Sequence, residues 1–137
     1  MEINDDNIKN LVNDWIDEPT DPKFTDVNNE SYVGHISDWD VSRVTNMSYL
    51  FHNKGSFNDD INKWNVSNVT DMRSMFMNCN EFNQPLDKWD VSNVKDMNFM
   101  FMNCTSFNHP INTKIVNKSD NTTYKAWDVS NVTSMGY

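Results

Sequence analysis

The sequence predicts an α/β fold: a short solenoid of repeated short parallel strands and short helices, closed at its start by a helical cap. Three observations predict it. Large residues recur at a period of 25, two apolar spacings alternate inside each period, and the chain opens on an amphipathic stretch. Trp39, Trp64 and Trp89 lie 25 residues apart, and Trp127 follows 38 later, one period plus 13 residues. Met47, Met72 and Met97 keep the period, as do Phe51, Phe76 and Phe101, then Phe57, Phe82 and Phe107, and the pair Cys79 and Cys104. All of these are predicted to form core ladders, each side chain above its equivalent in the next coil.

The first element is a helix. Ile8, Leu11, Val12, Trp15 and Ile16 fall at the spacings of one helical face, with Asp5 or Asp6 available as cap. Pro19 and Pro22 end it, and the polar stretch to Glu30 reads as a loop. Residues 1–31 are therefore expected to be a cap helix and loop that cover the first coil. Residues 32–137 are expected to be about four coils, with an inserted loop near 113–126.

Within a coil, Trp64-Asn65-Val66 and Trp89-Asp90-Val91 alternate apolar with polar, the pattern of a short half-buried strand. Val69, Met72, Met75, Phe76 and Cys79 are spaced three, three, one and three, which predicts a helical face. Val94, Met97, Met100, Phe101 and Cys104 repeat it. Ser42, Ser67, Ser92 and Ser130 sit where such helices would need an N-cap. Asn58, Asn83 and Asn108 are expected to ladder at a turn. Strand-paired coils would stack ~4.8 Å apart, which puts a Cys79–Cys104 bridge within geometric reach. The alternative is a pair of free core thiols acting as small hydrophobes.

These residues carry a resemblance. Units such as WNVSNVTDMRSMFMNCNEFNQPLDK, Trp64 to Lys88, resemble the BspA-like leucine-rich repeats found in surface lipoproteins of mycoplasmas and other bacteria, and in arrays from protists and giant viruses. The resemblance runs from about Tyr32 to Met135, broken at 113–126. It implies a leucine-rich-repeat-like, right-handed solenoid and a role in adhesion or protein–protein contact. It implies no catalytic residues.

Composition narrows the function. With 20 acidic residues against 11 basic ones and a net charge of −9, the chain lacks the clustered cations that nucleic acid requires. No run approaches the ~20 apolar residues of a membrane span, so no direct membrane insertion is expected. Met1 to Asp6 has no basic start followed by an apolar run, and the expectation is a cytoplasmic or particle-associated protein rather than a secreted one. No cofactor or metal is expected. His35, His52 and His109 are scattered, and Asp40, Asn65, Asp90 and Asp128 read as turn or capping acceptors. Nothing resembles a nucleophile elbow or a phosphate-binding loop, so the chain reads as non-enzymatic.

Two functions follow. The first is a protein-interaction or adhesion module using its ladder faces and the inserted loop, where Lys114, Lys118, Tyr124 and Lys125 are the candidate contacts. That loop reads equally as a neutral insertion, since lengthening a surface loop costs little. The second is a structural component of a virus particle or surface layer. It would pack on a partner or a second copy through an uncapped C-terminal edge formed by Val129, Val132, Met135 and Tyr137. A small ragged end is the alternative there.

Overall fold

A computed structural model describes residues 1–137. Helix α1, Ile8–Asp17, forms where the apolar spacing predicts it and buries Ile8, Leu11, Val12 and Trp15. Its N-cap is Asn7, whose side chain makes no cap bond to the helix. Asp5 faces the repeat instead and accepts from Thr45 N (2.7 Å), Thr45 Oγ1 (2.6 Å) and Asn46 N (3.1 Å). The polar stretch read as loop contains a one-turn helix α2, Pro22–Thr25, with Pro at its start and the Asp21 carboxylate capping Lys23 N at 2.8 Å. α2 exists because Phe24 must reach the core, where it stacks on Trp39 and meets Trp15 edge-on.

The repeat is not the α/β solenoid of strands and helices that the sequence predicts. Between Trp39 and Thr113 there is no α-helix and no strand. Trp64-Asn65-Val66 and Trp89-Asp90-Val91 are not strands, and the three-spaced faces ending at Cys79 and Cys104 are not helices. The only sheet is an antiparallel hairpin, β1 (Lys114–Asn117) with β2 (Thr123–Ala126), in the segment expected to be a loop. Of 60 backbone hydrogen bonds, 11 belong to helices and strands, so the regular part of the molecule is held by turns and cross-links instead.

The reason lies in the backbone. Tyr49 and Asn53 have φ of 60° and 62°, and their equivalents Ser74, Asn78, Phe99 and Asn103 lie between 54° and 63°. Two left-handed residues four positions apart in each unit interrupt any helix or strand there. What remains is a chain of tight turns. Leu50 N bonds Met47 O, His52 N bonds Tyr49 O, Lys54 N bonds Phe51 O and Phe57 N bonds Lys54 O. Turns closed at three residues put every third side chain on one side, which is why the spacing imitates a helix.

The residues between those turn closures bond forward to the next unit. Met47, Tyr49, Phe51 and Asn53 donate their N–H groups to the carbonyls of Asp71, Arg73, Met75 and Met77, each at 2.9 Å. Met72, Ser74, Phe76 and Asn78 repeat this toward Asp96, Asn98, Met100 and Met102 at 2.8–2.9 Å. A β-strand sends successive N–H groups to alternate sides. Here the four donors are alternate residues and so face one side as in a strand, but the N–H groups of Leu50 and His52 between them close local turns instead of reaching a second neighbour. Only single parallel bridges link Asn46, Asp71, Asp96 and Ser134 in turn.

Side chains complete the register. The indole N–H groups of Trp64, Trp89 and Trp127 donate back to Ile36 O, Ile61 O and Leu86 O at 2.8–3.1 Å. The thiols of Cys79 and Cys104 donate to Phe51 O and Phe76 O, and both cysteines are free rather than bridged. Burial, with Cys104 as neighbour, pushes the Cys79 thiol up to about 12. Asn78 Nδ2 reaches Asn53 Oδ1 and Asn103 Nδ2 reaches Asn78 Oδ1, while Asn83 N and Asn108 N donate to Asn58 Oδ1 and Asn83 Oδ1. Asp40, Asn65, Asp90 and Asp128 each accept from the N–H of the Ser two residues on, so the acidic or amide side chain is the cap and Ser42, Ser67, Ser92 and Ser130 are capped.

The core is one cluster running from Ile3 to Trp127. Phe51, Phe76 and Phe101 stack with ring centroids 5.5 and 5.6 Å apart, and Phe57, Phe82 and Phe107 at 5.7 and 5.8 Å. Trp39 stacks on Trp64 at 6.2 Å. Met47, Met72 and Met97 are buried, as are all four ladder tryptophans. Phe101, Phe107 and Cys104 are half-buried.

Candidate binding cleft

The hairpin forms because Ile115, Val116, Thr123 and Tyr124 are β-formers flanking a polar turn. Lys118 N closes the turn on Thr122 O at 2.8 Å, Asn121 takes the left-handed φ of 65°, and Asp120 accepts from Thr122 N and Oγ1. Lys114 pairs with Ala126 at one end of the ladder and Asn117 with Thr123 at the other.

Two side-chain bonds tie the hairpin to the end of the second unit, and a third closes its base. Lys114 Nζ pairs with the Asp87 carboxylate, Tyr124 Oη donates to Lys88 O, and Thr113 Oγ1 donates to Trp127 O at 2.8 Å. The Lys114 ammonium, with Asn62 Nδ2 donating at 2.8 Å, holds Asp87 below its ordinary carboxylate value. Burial, and the neighbouring Asp90 and Asp87 carboxylates, raise the Tyr124 hydroxyl. Lys125 lies 3.7 Å from Asp128.

Between hairpin and repeat lies an open cleft of about 900 Å³. Eight of its eleven lining residues are polar; of the other three, Trp64 and Val66 are buried, so Tyr124 supplies most of the apolar surface. Lys63, Lys88 and Lys118 line it together with one carboxylate, Asp90. Lys118 Nζ sits 5.5 Å from the Tyr124 ring centroid, a cation–π placement. The cleft thus brings together two of the four loop residues singled out from sequence, Lys118 and Tyr124. Lys114 is tied to Asp87 of the repeat, and Lys125 pairs locally with Asp128.

Sequence reasoning missed Lys63, Lys88 and the cleft itself. Its walls come from residues 62–67, 88–90 and 118–124, and no local pattern shows that they meet. The ladder residues pack in or against the core, and of them only Trp64 edges the cleft. At the other predicted site, Val129 is 39% exposed, Met135 58% and Tyr137 93%, while Val132 is half-buried. Tyr137 stacks on Phe99 at 5.3 Å. No helix is long and apolar enough to cross a membrane.

A family model described as "Mycoplasma protein of unknown function, DUF285" matches residues 21–125, most of the repeat and part of the hairpin. No curated protein and no solved structure matches the chain. A match over that share of the sequence establishes membership: the chain belongs to the DUF285 family.

Proposed function

We propose that this DUF285 protein is a non-enzymatic protein-interaction or adhesion module that takes its partner beside the inserted hairpin. The observation that carries this reading is the cleft. It is large, polar and open, and it is walled by the one segment that departs from the 25-residue period. Repeat scaffolds use such insertions for contacts because the stack itself consumes the polar groups of its own residues. The likeness of its units to BspA-like repeats supports the same reading, since that likeness implies adhesion or protein contact.

Selection from a displayed random-peptide library on the intact chain tests it. A variant lacking 114–126 supplies the control, because removing those residues leaves Thr113 directly before Trp127, just as Lys88 precedes Trp89. Saturable binders that lose at least about tenfold in affinity on this variant support the reading, ~1.4 kcal/mol by the affinity scale. Failure to select any binder, or binders indifferent to the deletion, would sink it.

A structural role through Val129, Val132, Met135 and Tyr137 is the second reading, favoured by the exposure of Met135 and Tyr137. Sedimentation velocity separates the two. Mass that grows with concentration, and is lost on Met135→Ser with Tyr137→Ser, favours assembly, whereas a concentration-independent monomer removes it.

A further inference from the structure

We propose that the cleft receives an acidic, extended peptide segment, with Lys63, Lys88 and Lys118 meeting its carboxylates and Tyr124 packing along its backbone. The inference rests on the interaction reading above and names the chemistry of the partner.

Charge is the first argument. In a chain of net charge −9, three lysines line one cleft against the single carboxylate of Asp90. That carboxylate is engaged by Ser92, whose N and Oγ donate to it at 3.1 and 2.6 Å. Asp120, on the same turn as Lys118, is occupied in the same way by Thr122. Lys88 and Lys118 have no ion-pair partner within 4.0 Å, and Lys63 has only Asp38 at 3.9 Å, with both side chains more than two-thirds exposed. Exposed pairs of that kind contribute little and exchange readily. The hairpin's other lysines differ, because Lys114 and Lys125 are matched to Asp87 and Asp128. These ammonium groups are therefore available to an incoming anion.

Shape and composition narrow the anion. Pockets for small apolar ligands are lined mainly by hydrophobic and aromatic side chains. Here Asn62, Asn65, Ser67 and Ser119 add hydrogen-bonding groups suited to a peptide backbone. At about 900 Å³ the cleft is far larger than one inorganic anion, and it is open to solvent, so a chain can pass along it. A nucleic acid or an anionic membrane surface would extend past the cleft over the rest of a strongly acidic protein and be repelled there. A short acidic segment concentrates its charge where the lysines are.

Fluorescence anisotropy with a labelled hexaglutamate peptide tests the proposal, against hexalysine and inorganic phosphate. The expected result is saturable hexaglutamate binding that weakens at raised salt. It should fall by about tenfold for Lys118→Glu and for Lys88→Glu, and further for the double variant. Lys118→Gln and Lys88→Gln should fall less, and thermal unfolding of these exposed-site variants should match the parent. No saturable binding would overturn the proposal. So would equal binding to the charge-reversed variants, or displacement by phosphate as effective as by unlabelled peptide. Library binders that are not acidic yet need the hairpin would overturn this inference and leave the interaction reading standing. An empty selection would overturn that reading itself.

Discussion

The second repeat unit, Trp64 to Lys88, and the inserted hairpin, Lys114 to Ala126, solve opposite problems. In the repeat unit the bonds not spent on its own turns run to the units above and below: four backbone bonds are given forward, the Trp64 indole N–H and the Cys79 thiol are given back, and an Asn side chain ties each flank. Its large side chains are enclosed, with Phe76, Phe82, Met72 and Met75 fully buried. The hairpin satisfies its backbone internally through one short antiparallel ladder and leaves Lys118 without an ion pair within 4.0 Å. A buried side chain repeated at the stack period is committed to the stack, whereas the exposed pair Lys63 and Lys88, also 25 apart, is not. Of the side chains that interrupt the period, Lys114, Tyr124 and Lys125 are tied down, and Lys118 is free to meet something else.

The sharpest way to break this contrast is to attack the ladder. Phe76 stacks between Phe51 and Phe101 and touches Phe82 and Trp89, with no exposure. Phe76→Ala is expected to cost about 3–5 kcal/mol in urea unfolding, the usual cost of deleting a buried aromatic ring. Phe107→Ala, at a half-buried site with one fewer flanking ring, should cost clearly less. Equal losses would mean that the stack lacks the graded burial described above.

A smaller loss separates hydrogen bonding from packing. Trp89→Phe keeps a ring in the core but removes one of the two donors to Ile61 O, which keeps the Trp64 N–H at 3.1 Å. The expected cost is about 0.5–1.5 kcal/mol, the net worth of one hydrogen bond to a carbonyl that stays satisfied, and equilibrium unfolding monitored by the remaining tryptophans measures it. A neutral result would show that the indole bonds are incidental to the register.

How much of this was legible depends on what the residues repeat. The period, the enclosed Trp, Met and Phe ladders and α1 could be read directly, because burial imposes residue type at fixed spacing. The backbone could not. Val69, Met72, Met75 and Cys79 have the same three-residue rhythm in a helix and in consecutive tight turns, and only the left-handed φ of Ser74 and Asn78 decides between them. Asn is a common left-handed residue and hints at it, whereas Ser, Tyr and Phe in the preceding slot give no such signal. Ile115-Val116 and Thr123-Tyr124 around Asp120-Asn121 did carry a hairpin signal that composition as a loop obscured. The cleft was not legible, because it depends on where that hairpin folds in space.

Asp5 tests how the stack begins. In the units, Thr70 N donates to Thr45 O and Lys95 N to Thr70 O, both at 2.8 Å. Thr45 has no earlier unit, and the Asp5 carboxylate stands where that carbonyl would be. Burial alone would raise its titration, but bonds from the Thr45 hydroxyl, Thr45 N and Asn46 N outweigh this and hold it below 3.8. A carboxyl lowered on folding stabilises above its unfolded value, and that contribution is lost as pH falls through its folded value. Asp5→Ala should cost about 1 kcal/mol at neutral pH, by analogy with a lost helix cap. The difference from the parent should shrink in unfolding curves taken below pH 3.8. A gap that stays constant into acid would mean the bonds do not require the charged form.

The smallest expected effect lies in the hairpin staple. Lys114 and Asp87 are 45% and 32% exposed, so solvent screens the pair, and Lys114→Ala should cost no more than about 0.2–1 kcal/mol of global stability. Its local signature should be clearer. With the Lys114 bond gone and only Asn62 left to donate, the Asp87 carboxyl should titrate at higher pH, and carboxyl-detected NMR reads that directly. The amides of β1 and β2 should also exchange faster than those of the stack, because the hairpin is tied down by few bonds while each unit is held on both sides. If the stack amides speed up equally, the two regions unfold as one. The hairpin would then be a structural part of the repeat, and its freedom to receive a partner would have to be argued without its mobility.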